Sequence, residues 1–523
     1  MLTENKTRSR CGLVALLIGL ACTPSWAAIC RVSATGSDFN NGSSWAVPTS
    51  LKQALITGTC TEIWVAKGVH KPTASGTVTS SFNLASGVAV YGGFAGSESA
   101  RDQRSPATNA TVLSGDIDNN DTSDDDGVNA DATHIVGSNS FHVVRMAEAT
   151  SNTILDGVTI TGGDASGADS DSLGGGLYCQ QSLSGTCNPT FANLVFSGNK
   201  AGGGGALYIG PGAGPSLSNV TFRGNSAGNG GAVLNSGSFF GVAVPTFGAV
   251  AFIDNSATAW GGAMFNQANG GSVNFTVTNA TFQGNSADQG GAIFNYGTGG
   301  AGSIISTFNS ITFSGNHATN GGAIANVAES GTLSIPKLNN VTLSGNIAAS
   351  GGAIYNWANG GTSGTKLFNV TLSGNQASLA GGAIYNKGSA ASGSVRNAIM
   401  WGNLAPGAQG PEIYNLTGAA PAIDHSIVQS SGGSGAFWNT SLGTDGGGNL
   451  DADPLLAALS NNGGFTLTMP PVMGSPAIDT GNATGCPPTD QRGVTRPQGL
   501  ACDIGAVEYL DILFDDGFEN TVP

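Results

Sequence analysis

"FQGNSADQGGAIFN", residues 282 to 295, joins an FxxN tetrapeptide to a GGAI tetrapeptide, and close copies of both recur in step along the chain. The first phrase ends at Asn199, Asn225, Asn255, Asn285 and Asn316, continues as LSGN at Asn346 and Asn375, and decays to MWGN at Asn403. Successive spacings are 26, 30, 30, 31, 30, 29 and 28 residues. The GGA phrase starts at Gly204, Gly230, Gly261, Gly290, Gly321, Gly351 and Gly381. A fixed period of this size marks a solenoid, in which each repeat buries its apolar face against its neighbours.

The local period decides which solenoid. "NVTLSGN" at 340–346 and 369–375 alternates apolar Val and Leu with polar Thr and Ser, the two-residue period of a strand. The equivalent pairs Val220 and Phe222, Val250 and Phe252, Ala280 and Phe282, and Ile311 and Phe313 are expected to point inward. Asparagine supplies three columns of corners. One stands just before the strand, at Asn193, Asn219, Asn279, Asn309, Asn340, Asn369 and Asn397, with Ala249 as the exception. A second closes the FxxN phrase, and a third follows GGAI at Asn235, Asn266, Asn295, Asn326, Asn356, Asn386 and Asn415. Asn tolerates left-handed backbone and bonds locally, so it suits sharp bends, and stacked at about 4.8 Å its amides form ladders. Three corners imply three strands per coil: an all-β chain folded as a right-handed, single-stranded parallel β-helix with a small C-terminal appended region.

Composition agrees. Eighty-three glycines, 10% charged and 40% hydrophobic residues leave little room for amphipathic helices. A formal charge of −15 argues against nucleic acid and anionic lipid, which clustered Lys and Arg hold. Residues 1–27 read as a secretory signal, with Lys6, Arg8 and Arg10 before the apolar run Gly12 to Ala21, and Ser25 and Ala27 at the cleavage site. No later stretch reaches the roughly 18 apolar residues of a membrane span. An extracellular or cell-surface location is therefore expected. The six remaining cysteines permit 15 pairings, and proximity suggests Cys30 with Cys60, Cys179 with Cys187, and Cys486 with Cys502. The expected organisation is an N-terminal cap and early coils with long insertions over 28–150, repeats over 151–430, an appended region over 445–509 and an acidic tail over 510–523.

The paired FxxN and GGA[ILV] phrases resemble the repeats of the polymorphic outer membrane proteins, surface β-helices that include adhesins. "DPLLAALSNNGGFTLTM" at 453–469, "GSPAIDTG" at 474–481, "TDQRGVTRPQG" at 489–499 and "CDIGAVEY" at 502–509 together resemble the choice-of-anchor Q domain, a bacterial extracytoplasmic family. The coil is similar to the pectin-lyase-like solenoid, which pectate lyases and polygalacturonases share, so catalysis has to be judged at the level of the site.

Between 191 and 430 the acids are Asp254, Asp288, Glu329, Glu412 and Asp424, and the bases are Lys200, Arg223, Lys337, Lys366, Lys387 and Arg396. Neither a facing pair of carboxylates nor an acidic cluster beside a basic proton acceptor is visible in that spacing. "SGDIDNNDTSDDDG", 114–127, is the densest acidic stretch. Asp116, Asp118, Asn120, Asp121 and Asp124 offer hard oxygens suited to calcium, the one cofactor expected, or else a solvated loop. In the GGA strands the aliphatic column Val233, Met264, Ile293, Ile324, Ile354, Ile384 and Ile413 belongs to the core. The alternate column carries Tyr208, Phe265, Phe294, Tyr355, Tyr385 and Tyr414, which parity places outside, either as a strip of rings for a polysaccharide or a cell-surface partner, or as rings that a bend stacks internally or a loop covers. The histidines are scattered without ligand spacing, and Asp490, Arg492 and Arg496 form an expected ion-pair knot. The first functional expectation is a non-catalytic, adhesin-like or polysaccharide-binding surface protein. The alternatives are a carbohydrate-active enzyme, a polysaccharide lyase or glycoside hydrolase with its site over the insertions at 95–185, and a passive structural spacer.

Overall fold

The structure, a computed structural model, describes residues 29–510 except 74–76, 181–185, 239–240, 392 and 408. The expected signal segment and, past residue 510, the acidic tail lie outside the described residues. The chain is a parallel β-solenoid of about 13 turns with almost no helix. Strands of successive coils pair in parallel and in register, as in Ser272–Gln283 on Ser303–Ser314 and Met264–Asn269 on Ile293–Thr298. The 22-stranded set is called sheet A here, and the 11-stranded set sheet B. A third sheet, sheet C, is made of four- and two-stranded pieces joined by single bridges at Ser256, Ser286, His317 and Ile347.

One coil shows why these residues fold this way. Sheet A runs over Ser272–Gln283 and turns at Asn279, whose φ of 56° is the left-handed value asparagine tolerates. Gly284 and Gly290 make the next two bends at φ 65° and 64°. Gly291 is required for a different reason: a Cβ there would stand 2.2 Å from the Gly322 carbonyl oxygen of the next coil. The corner column holds Asn193, Asn219, Ala249, Asn279, Asn340, Asn369 and Asn397 as expected, but its member in the fifth repeat is Ser310 (φ 57°), with Asn309 one position earlier on the strand beside Asn339. The backbone register decides this, and an Asn-Ser pair leaves the choice open in sequence.

Inside the coil two devices hold the stack. Phe196, Phe222, Phe252, Phe282 and Phe313 stack face to face with centroids 4.6–5.0 Å apart, all fully buried. Each such ring contributes about 2–3 kcal/mol by burial. Beside them the asparagines of the FxxN phrase form a buried ladder from Asn199 to Asn403, Nδ2 of each donating to Oδ1 of the next at 2.8–3.0 Å. A second ladder runs from Asn235 to Asn415 at 2.6–2.9 Å. Every rung satisfies a polar group that would otherwise cost about 1–3 kcal/mol to bury.

The three disulfides pair as expected, 30 with 60, 179 with 187 and 486 with 502. The solenoid is longer than the repeats suggest. Ile29–Val32 already pairs with Glu62–Ala66, and Thr444–Asp445 still pairs with Ala422–Asp424. The short helix Leu51–Ile56 and the buried Trp438 and Leu442 close the two ends. The appended region folds back along the outer face of sheet A. Asn340 and Asn369 donate to the carbonyls of Thr489 and Asp503, Thr342 bonds Gln491, and the Ala506 amide donates to Thr371. Its knot is real but has an extra member. Arg492 pairs with Asp490 at 2.8 Å, while Arg496 is buried against Glu508, a partner that spacing does not suggest.

Candidate functional site: an outer trough on sheet A

The ring column lies outside the coil wall, as parity requires, yet it is buried. Tyr208, Phe265, Phe294 and Tyr355 are 1–7% exposed. They form a second apolar cluster, separate from the inner core, together with Tyr178, Leu234, Ala325 and Val327. Of the two expectations for these rings, the exposed strip is corrected and the covered column is what the structure has for these four. The Gly-Gly bend swings sheet C so that Leu173 and Trp260 pack over the column, Trp260 lying 5.2 and 5.9 Å from Phe265 and Phe294. Tyr296, Val327 and Trp357, two residues further along sheet B, cover its other flank. Burial pushes the Tyr208 and Tyr355 hydroxyls up to about 12. Tyr385 and Tyr414, at the C-terminal end of the column, are half-buried, their rings tilted to one another with centroids 5.3 Å apart.

The acidic loop is a folded insertion. Asp116 pairs with Lys71 at 3.1 Å and accepts the amides of Asn119 and Asn120. Asp118 accepts Ser138 N–H, and Asp124 accepts Val128 N–H. Asp121 accepts Val136 N–H and the side chains of Asn129 and Asn139, and its burial, the largest influence, raises its pKa. Asn120 lends its amide N–H to Asp116. Among the described residues no three acids, histidines or cysteines gather as a metal site. The insertion is pinned onto sheet A through Asn129, whose N–H reaches Thr161 and whose carbonyl accepts the Ser197 hydroxyl.

The segment around 102–106 and the appended region border one outer stripe of sheet A from opposite ends, while the acidic insertion covers the neighbouring column at Thr161 and Ser197. Thr312, Thr342 and Thr371 are buried beneath the appended region, whereas Thr221, Ala251 and Thr281, their equivalents in earlier coils, remain half-open. The left-handed corner beside them bends the sheet into a trough. One depression of about 620 Å³ has Asp102, Arg104 and Pro106 as its wall and Asn193, Asn219 and Thr221 as its floor. Another, of about 610 Å³, lies between Asn279, Ser310 and Lys337 on the sheet and Phe465, Pro488 and Arg492 on the appended region. Asn219, Ala249 and Asn279 follow one another in register, so a single rung, Ala249, separates the two.

The trough offers binding chemistry. Asn219 Nδ2 donates to Asn193 Oδ1 at 2.8 Å, and this amide row is flanked by threonine hydroxyls. Phe465 is 56% exposed at the C-terminal wall. The cations divide into two kinds. Arg104 is locked to Asp156 at 2.7 Å and Arg492 to Asp490, while Lys337 lies exposed 4.9 Å from the Phe368 ring. Asp102 is the only acid lining either depression. Sequence reasoning read the asparagine column as corners only. The trough depends on where two distant insertions land, which local period does not report.

Against known proteins, the model for the Chlamydia polymorphic membrane protein repeat matches residues 193–210, 219–236, 279–296, 310–327 and 369–387. No curated protein sequence matches the chain. Among solved structures, pectate lyase Pel9A aligns over 92% of this chain and 96% of its own at 14% identity and a TM-score of 0.37. A rhamnogalacturonan lyase aligns over 86% and 96% at 12% identity and a TM-score of 0.29. At those values neither likeness bears on activity. The five matched segments each span an FxxN or LSGN phrase and the GGA bend that follows it, so the chain carries repeats similar to the Chlamydia polymorphic membrane protein repeat.

Proposed function

We propose that this is an exported, non-catalytic surface protein that binds an extended polysaccharide along the outer trough of sheet A. The repeats and the fold fit a surface-associated β-helix protein. The observation that carries the finer reading is the open stripe from Asn193 to Ser310, walled at both ends and floored by amides and hydroxyls. Amide and hydroxyl rows repeating at about 4.8 Å suit a polymer of hydroxylated rings, and an exposed ring such as Phe465 suits stacking on a sugar face. The N-terminal signal supplies export, and the disulfides are of the kind that persists in oxidising compartments.

A glycan array with the mature chain tests this reading, backed by an assay for reducing ends released from the bound polymers with and without calcium. Binding without release supports it. Release of product would favour the enzyme alternative, and an array with no binder would favour a passive spacer.

A further inference from the structure

A buried amide ladder has a direction and must end. From Asn199 to Asn403 each Nδ2, together with the backbone N–H of the same residue, donates to Oδ1 of the next asparagine. The donors therefore point toward the C-terminus, and Asn403 is left with two donors and no ninth asparagine. The other ladder meets the same problem with backbone, Asn415 donating to the carbonyls of Ser441 and Leu442. The inner ladder uses a side chain. Where the repeats read GGAI, the last coil reads Gly410-Pro411-Glu412-Ile413, so that Glu412 replaces the wholly buried alanine of Ala292, Ala323, Ala353 and Ala383. Glu412 Oε2 lies 2.6 Å from Asn403 Nδ2 and also takes the Asn403 backbone N–H.

Glu412 is 2% exposed, and its Oε1 has no hydrogen-bond partner. It borders a cavity of about 460 Å³ closed by Leu404, Gln429, Ser430, Asn439 and Leu442, with no other acid, no lysine, arginine or histidine in its lining. On the adjoining strand Ile384–Lys387 the charged group is Lys387, whose ammonium lies 4.3 Å from the Trp357 ring on the outer face. No cation on these elements therefore faces the carboxyl.

We propose that Glu412 is the terminal rung of the inner ladder, supplying the acceptor of the missing asparagine as a neutral carboxylic acid, so that closure of the C-terminal end is linked to a proton. Two donors favour the charged form, but desolvation outweighs them, and the carboxyl is pushed up to about 8. The native state then holds a proton that the unfolded chain, titrating in the ordinary glutamate range, releases. The stability Glu412 contributes is full below that range and is lost as pH rises through about 8.

The test is thermal unfolding of the full mature chain and of Glu412→Gln from pH 5 to 9, with infrared spectra of both. The glutamine amide oxygen offers the same acceptor without a titratable group. The variant is expected to match the wild type near pH 5 and to exceed it progressively toward pH 9. Other buried acids, including Asp503, which is pushed up to about 6, are common to both proteins and cancel. Wild type at pH 7.5 should show the C=O band of a protonated carboxylic acid, and the variant should lose it. Parallel stability curves would overturn the proposal. Should the variant fail to fold, absence of that band from the wild type at pH 7.5 would overturn it by itself.

Discussion

The molecule carries two rows of aromatic rings at coil spacing, one on each side of its wall. The inner row, Phe196 to Phe313, is unbroken and enclosed by all three sheets. The outer row, Tyr178 to Tyr414, is interrupted at Leu234 and Ala325 and is covered by Leu173 and Trp260 on one side and Tyr296 and Trp357 on the other. Both are buried over most of their length, so the side of the wall a ring occupies does not tell whether water reaches it. What differs is how much of the packing can relax. An inner ring has no outlet, whereas an outer ring lies under side chains that can shift into solvent.

That contrast orders the expected effects of substitution. Phe252→Ala removes the middle of the inner stack and should cost about 3–5 kcal/mol, read as a fall in the denaturant midpoint. Asn285→Ala leaves the Asn255 amide and backbone N–H without their acceptor, at about 2–3 kcal/mol. Phe294→Ala, on the outer row, should cost about 2 kcal/mol, because Trp260 and Tyr296 can close over the gap. An equal loss for Phe252→Ala and Phe294→Ala would show that the outer cluster is as confined as the core. Tyr385→Ala, at the half-buried end, should cost under about 1 kcal/mol. Smallest of all, adding calcium to chelator-treated protein should leave the melting temperature unchanged, since amide donors already engage Asp116, Asp118, Asp121 and Asp124. A rise of several degrees would instead place an ion in that loop.

Much of the fold was legible because a solenoid repeats its own evidence. Seven copies of an alternating strand and three asparagine columns gave the coil, its corners and its inner residues. The Asn309-Ser310 corner escaped by one residue, since either type can take the left-handed bend. The candidate site was legible only in its materials. The ring column was read correctly as outside the wall, but the swing of sheet C that buries it is set by the Gly-Gly bend in three dimensions. The trough needed still more, because its walls come from residues near 104 and near 490, which local period cannot bring together. Glu412 stood in the sequence as one of five acids in the repeat region, and only its place in the ladder shows what it does.

The central claim is that the functional face is the open stripe of sheet A. It is tested most directly by measuring affinity for the best polysaccharide on the array in wild type, Thr221→Trp and Tyr385→Ala. Filling the trough with Thr221→Trp should weaken binding at least about tenfold, or about 1.4 kcal/mol, with the melting temperature unchanged, while Tyr385→Ala binds as the wild type does. Unchanged binding in Thr221→Trp, or its loss in Tyr385→Ala, would contradict the account and return the ligand to the ring column.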